Sequence, residues 1–243
     1  MENNALISCF EEFKKERYAA KEQGRLSVTS LSQQFKRIAQ HLIYCGHFEV
    51  RSNGKLYRNI YLDTVEFYYH EEGDGEIKDY IVYHRNKNKT PDKYLPAFPL
   101  GSLHTHVSGV DITFEDQSKE PEYRASVLIR AFHVEDHIQT KGLPQCPKVE
   151  THSTYLYNYL FMGLPINDDI QIKWVVDSNH TDSVPETGYR VNVHKYNPGK
   201  NGLPEKRKKE KDSTDYLDRK EWAFSRYPFE KPWAIDNKKG CDL

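Results

Sequence analysis

One Asn-Gly pair, Asn53-Gly54, lies between Phe48-Glu49-Val50-Arg51 and a long aromatic run from Leu56 to Tyr68, and it constrains this chain more than any other feature. A tight hairpin turn needs two successive residues at positive φ, which Asn and Gly tolerate, and its twist suits two antiparallel strands. The sequence therefore predicts a β-hairpin with its turn at residues 52–55. Its second strand carries Thr64-Val65-Glu66-Phe67-Tyr68 near its end. Upstream, Leu31, Phe35, Ile38, Ala39 and Leu42 recur at three- and four-residue spacings, predicting an amphipathic helix that packs on the sheet and stops at Gly46.

Further along, Ser102 to Phe114 reads as two short strands broken at Ser108-Gly109, and Ala125 to Phe132 as a mostly apolar strand that Arg130 interrupts. A core helix is predicted over residues 154–164, with Gly163 at its end, and late strands over 173–176 and 189–193. Residues 71–76 and 87–99 read as loops, so two loops flank His84. The segment 197–212, with Lys206-Arg207-Lys208-Lys209, reads as a basic hydrophilic loop, solvated or in contact with phosphates. The fold class is α+β: one domain with a curved, mainly antiparallel sheet and flanking helices. Its boundaries are a helical extension over 1–30, the main domain over 31–229 and a tail over 230–243.

The 35 basic and 36 acidic residues leave a formal net charge of -1, so no global basic field advertises a polyanionic partner and any nucleic-acid surface is local. No apolar run is long enough to span a bilayer, and Met1-Glu2-Asn3-Asn4 lacks the order of a signal peptide, which predicts a soluble intracellular protein. Cys9, Cys45, Cys146 and Cys241 are scattered with no C-x-x-C pair, so reduced thiols are expected.

Three side chains suggest chemistry. Glu66 is a carboxylate in an apolar, aromatic strand, where a general base can be tuned. His84, in Tyr83-His84-Arg85-Asn86, supplies a proton carrier, and Arg130 a fixed cation; together with Glu66 they can share one water, which points to hydrolysis. Cleaving a base from deoxyribose brings water to the anomeric carbon while positive charge develops on the sugar. A carboxylate there orients the water and stabilises the cation. His104-Thr105-His106 with Asp111 supports a different reading, because H-x-H on a strand puts two imidazoles on one face, where a metal-dependent hydrolase can bind its ion.

The order of these features resembles the alkyladenine (3-methyladenine) DNA glycosylases over residues 31–229. The resemblance is carried by the helix ending near Leu42, Arg51-Ser52-Asn53-Gly54-Lys55, Thr64-Val65-Glu66-Phe67-Tyr68, His84, Gly101-Ser102-Leu103, Ala125-Ser126-Val127-Leu128-Ile129-Arg130 and Glu221-Trp222-Ala223. In that family the strand motif is written E-T-E-A-Y, with the second Glu as catalytic base and the Tyr as a wall of the base pocket; Glu66 and Tyr68 match them. The resemblance implies a monofunctional DNA glycosylase without metal or redox cofactor, acting on a base rotated out of DNA. Glu66 would activate water, held by Arg130 and His84. Tyr68 and His106 would sandwich the base beside His104, and Asp111 or Glu115 would meet its polar edge. Apart from the resemblance, the basic character of Lys206, Arg207, Lys208 and Lys209 makes them candidate phosphate contacts to DNA.

Other positions depart from the family. Where it carries an intercalating Tyr, this chain has Val107-Ser108-Gly109-Val110, with no large side chain. His106 stands at a pocket Tyr, and the pocket Asn falls near Glu115 or Asp116. A non-catalytic protein that recognises a modified base or nucleotide is the third reading. No lysine is placed to form a Schiff base, so no lyase step is expected.

Overall fold

Residues 5–79, 81–82, 84–85, 95–106, 109–137, 156–161, 163–164, 167–177, 182–190, 197–198, 204–205 and 220–229 are described by a computed structural model. Helix α1 (Ala5–Glu22) buries Leu6, Phe10, Phe13 and Arg17, a stripe at four- and three-residue spacing. Helix α2 (Val28–Tyr44) begins at a capping box. The Ser27 hydroxyl accepts the Ser30 amide at 3.1 Å, and the Ser30 hydroxyl accepts the Ser27 amide at 2.9 Å. Its buried face contains all five predicted stripe residues and adds Gln34 and Ile43. The helical extension expected over 1–30 contains α1, whose Leu6, Phe10 and Phe13 belong to the same core cluster as the sheet.

The hairpin forms as expected. Strands β1 (Gly46–Ser52) and β2 (Lys55–Glu71) pair antiparallel, and Asn53 and Gly54 take φ of 48° and 77° between them. Gly46 belongs to β1 rather than to the helix end. Its glycine answers a close approach, since a Cβ there would lie 2.3 Å from the Val175 carbonyl oxygen. The chain continues with β3 (Leu103–His106), β4 (Gly109–Thr113) and β5 (Tyr123–Asp136). Helix α3 (Leu156–Phe161), β6 (Ile170–Val176), β7 (Glu186–Gly188), the two-residue strands β8 (Asn197–Pro198) and β9 (Pro204–Glu205), and β10 (Ala223–Ser225) follow. The large sheet runs β3-β4-β5-β2-β1-β6, and its pairings are antiparallel. Because β5 takes one edge of β2 and β1 pairs with residues 55–60 on the other, β10 continues that second edge at residues 64–66 and carries β7 beyond it. Register shifts between Leu62 and Val65 put a bulge into the β2–β5 ladder, which bends the sheet there.

The core lies where both helices cover one sheet face. The Phe35 ring stacks on Phe67 at 4.6 Å, Phe10 stacks on Phe114 at 5.1 Å, and Phe13 meets Phe114 edge-on at 5.1 Å. Helix α3 falls within the helix predicted over 154–164, of which residues 154–155 and 162 lie outside the described residues, and Gly163 forms a turn after it. The late strand expected over 189–193 differs as well. Tyr189 points to solvent and Arg190 is drawn inward by Asp79, so neither pairs in the sheet, and residues 191–193 lie outside the described residues. No helix among the described residues is long and apolar enough to cross a membrane.

Phe35 touches Phe13, Phe67, Tyr69, Phe114 and Trp222. Truncation to alanine removes a ring from the centre of this cluster. Phe35→Ala is expected to cost about 3–5 kcal/mol in urea unfolding, and a loss under 1 kcal/mol would contradict this packing.

Candidate functional site

Strand alternation divides β2 into two chemistries. Val65, Phe67 and Tyr69 face the helices, so Glu66, Tyr68 and His70 face the other way. Across the sheet, Glu66 pairs with Leu128, Leu128 with Asp111 and Asp111 with His104, which puts Asp111 and His104 on the same face as Glu66. At the usual strand spacing, Asp111 and Glu66 lie roughly 10 Å apart in the backbone.

Glu66 is 1% exposed, with β5 on one side and Ala223 of β10 on the other. Its Oε2 accepts the Tyr68 hydroxyl at 2.8 Å, and its Oε1 lies 3.5 Å from Arg130 Nε. A buried carboxylate needs such partners, because an unpaired charge in that position is strongly unfavourable. The Arg130 side chain keeps some exposure, while its Nε, the atom that faces Glu66, is buried. Burial raises the Tyr68 phenol well above its ordinary value, the nearby Glu66 charge raises it further, and the Arg190 guanidinium opposes both. The phenol therefore stays a donor to Glu66.

His84 is placed by Glu115. A carboxylate only accepts, so His84 Nδ1 carries the proton and donates to Glu115 at 2.8 Å. Glu115 also accepts the Phe98 amide at 3.0 Å and Arg124 at 2.9 Å. The fully buried Arg124 reaches Glu72 at 3.0 Å and the carbonyls of Leu95 and Pro96. Glu115, expected at the polar edge of a base, is thus 3% exposed and engaged with protein partners that orient His84 and seat Phe98.

Phe98 joins His84 to the histidines of β3, with ring centroids 4.0 Å from His84 and 4.4 Å from His104. His106 Nε2 donates to Asp111 at 3.0 Å, and the Ser126 hydroxyl donates to the other Asp111 oxygen at 2.8 Å. Burial lowers the pKa of His104, although the Asp111 charge opposes the shift. The His104 and His106 rings lie 6.3 Å apart, with Asp111 turned to His106 and Ser126. Among the described residues no three His, Cys, Asp or Glu side chains gather as metal ligands. The expected set therefore divides into three neighbouring groups: Glu66 with Tyr68 and Arg130; His106 with Asp111 beside His104; and His84 with Glu115. Lys206, Arg207, Lys208, Lys209, Val107, Ser108 and the tail 230–243 lie outside the described residues.

Four contributors escape sequence reading: Arg190, Asp79, Arg124 and Phe98. Arg190 alone carries a signal, as a cation inside the strand-like run Tyr189-Arg190-Val191. Its NH1 donates to Asp79 at 2.5 Å and to the Phe67 carbonyl at 3.1 Å, and its guanidinium lies 4.8 Å from the Tyr68 ring centre. Two cavities, about 680 Å³ beside the acidic loop 71–77 and about 690 Å³ between the α1 N-terminus and β6, are not lined by Glu66.

The floor of this region has a pH signature. His70 Nδ1 accepts the Asp79 amide at 3.1 Å, which requires that nitrogen to be unprotonated. Burial, with Lys78 and Arg85 nearby, pushes its pKa down to about 3 from 6.5. A depressed histidine pKa means that the unfolded chain binds the proton first as pH falls, so stability is lost between about 6.5 and 3. His70 is expected to contribute up to one proton of linkage there, about 1.4 kcal/mol per pH unit. Denaturant titrations at pH 7, 6, 5 and 4 should show a shallower decline for His70→Asn, which keeps the acceptor; an identical slope would refute the assignment.

Compared with known proteins, the chain matches no family model, and neither a curated protein nor a solved structure shows significant similarity, so its functional reading comes from its own residues.

Proposed function

We propose that this protein is a monofunctional DNA glycosylase, hydrolysing the N-glycosidic bond of a modified or damaged base rotated out of the helix. The observation that supports this reading most is the Glu66 carboxylate, buried in the central strand and held between the Tyr68 hydroxyl and Arg130. In the reaction, Glu66 orients and deprotonates the attacking water, and its charge faces the cation that develops on the sugar. Arg130 sets a fixed cation 3.5 Å from the other carboxylate oxygen, Oε1, beside the attacking water. The imidazoles of His104 and His106, with Phe98, form a flat-walled surface against which an unstacked base can lie. His84, its Nδ1 fixed on Glu115, holds its ring against Phe98 at the border of this surface.

The register of β3 and β4 bears on the substrate. His106 pairs with Gly109, so only Val107 and Ser108 intervene, and neither is large enough to fill the gap left by a flipped base. The preferred substrate is therefore a base already unpaired or mispaired, for which extrusion costs least.

Abasic-site formation on single- and double-stranded oligonucleotides carrying alkylated, deaminated, hydroxymethylated or glycosylated bases tests both statements. Glu66→Gln is expected to slow product formation about 10²–10⁴-fold while the protein stays folded, and single-stranded or mispaired targets should react fastest. Absence of abasic product from every substrate, with DNA binding that Glu66→Gln leaves intact, would replace the enzyme by a modified-base binding protein.

A further inference from the structure

Arg190 lies outside the set that handles the water, yet it reaches the catalytic strand from a part of the fold remote in sequence. It follows β7, which pairs with β10, and β10 pairs with β2 through Ala223 opposite Glu66. Arg190 is 3% exposed. Its NH1 is bound by the Asp79 carboxylate at 2.5 Å and by the carbonyl of Phe67, the residue between Glu66 and Tyr68, at 3.1 Å. The same guanidinium lies 4.8 Å from the Tyr68 ring centre and 5.2 Å from that of Trp222. Asp79 is fixed in turn, its amide donating to His70 Nδ1.

We propose that Arg190 is a positioning residue for the Glu66 carboxylate, acting through the ring and main chain of Tyr68. The inference rests on the reading of Glu66 as the water-activating group. Three physical effects act together. The bond to the Phe67 carbonyl fixes the Phe67–Tyr68 peptide. The guanidinium occupies one face of the Tyr68 ring, leaving the ring a single orientation, with its hydroxyl on Glu66. A cation over a phenol face also withdraws electron density and makes its O–H a stronger donor. Arg190 thus strengthens the hydrogen bond on Glu66 Oε2, while Arg130 faces Oε1. One face of Tyr68 is consequently closed to a stacked base.

Among the described residues, the ionisable groups around this pair include Tyr68 and His70 from β2, Arg130 from β5, Asp111 from β4, Asp79 from the segment after β2, Arg190 itself and Lys220 near Trp222. Carbon-13 NMR of carboxyl-labelled glutamate, with the Glu66 signal assigned by its loss in Glu66→Gln, reads the ionisation of Glu66 without turnover. Arg190→Gln is expected to displace the pH-dependent Glu66 signal upward in pH, because it removes the cation that polarises the Tyr68 hydroxyl. Arg190→Lys keeps a charge for Asp79 but loses the planar contact, and should shift Glu66 less in the same direction. In a Tyr68→Phe background, the Arg190→Lys shift should disappear.

An unchanged Glu66 titration in Arg190→Lys and Arg190→Gln, with only a lowered melting temperature, would make Arg190 purely structural. Persistence of the shift without the Tyr68 hydroxyl would equally overturn the proposal. Because the titration needs no substrate, it stays informative even where no abasic product forms, and that separate failure would fall on the glycosylase reading.

Discussion

The alternation of side chains along β2 is the constraint on which the rest of the molecule depends. One edge of the strand is paired by β5 from Arg58 to Glu71, and the other by β1 at residues 55–60 and by β10 at residues 64–66. Its odd-numbered aromatic residues complete the core beneath α1 and α2, while Glu66, Tyr68 and His70 emerge on the opposite face. A slip of one residue in this register would bury Glu66 among phenylalanines and expel Phe67. Core packing and candidate chemistry are therefore enforced by the same ladder. The Phe35–Phe67 stack helps to hold Glu66 in place although it touches none of the polar groups.

The site face is organised by buried cations more than by any single catalytic group. Arg124 and Arg190 are nearly inaccessible, and each meets at least one carboxylate and one main-chain carbonyl. Burying a guanidinium is costly unless its donors are matched, so such residues persist only in fixed geometry. Each therefore transmits position. Arg124 ties the segment at Leu95 and Pro96 to Glu115, and so aligns Phe98 and His84. Arg190 ties Asp79 to the Phe67–Tyr68 peptide. The result is a polar surface whose dipoles need little rearrangement when charge develops, which is the condition for electrostatic stabilisation of a transition state.

How much of this was legible in the sequence follows from the range of each interaction. The hairpin was readable because Asn53-Gly54 and the flanking strands are contiguous, and the α2 stripe because helical periodicity is local. Glu66 stood out as an acid within an aromatic strand, and Arg130 as a base within an apolar one. Their meeting depends on the β2–β5 register, which no local pattern encodes. Glu115 was visible as an acid near the expected pocket, but its engagement by His84 and Arg124 joins segments that only the folded sheet brings together. Gly46 looked like a helix stop because glycine commonly serves there, whereas the neighbouring strand's Val175 carbonyl is what excludes a side chain. Arg190 is the most instructive case. Its alternation with Tyr189 and Val191 mimics a strand, and an ion pair with Asp79, 111 residues earlier, draws it out of the sheet and onto Tyr68. Sequence periodicity records which side a residue faces; it does not record whether a strand partner or a buried charge holds it there.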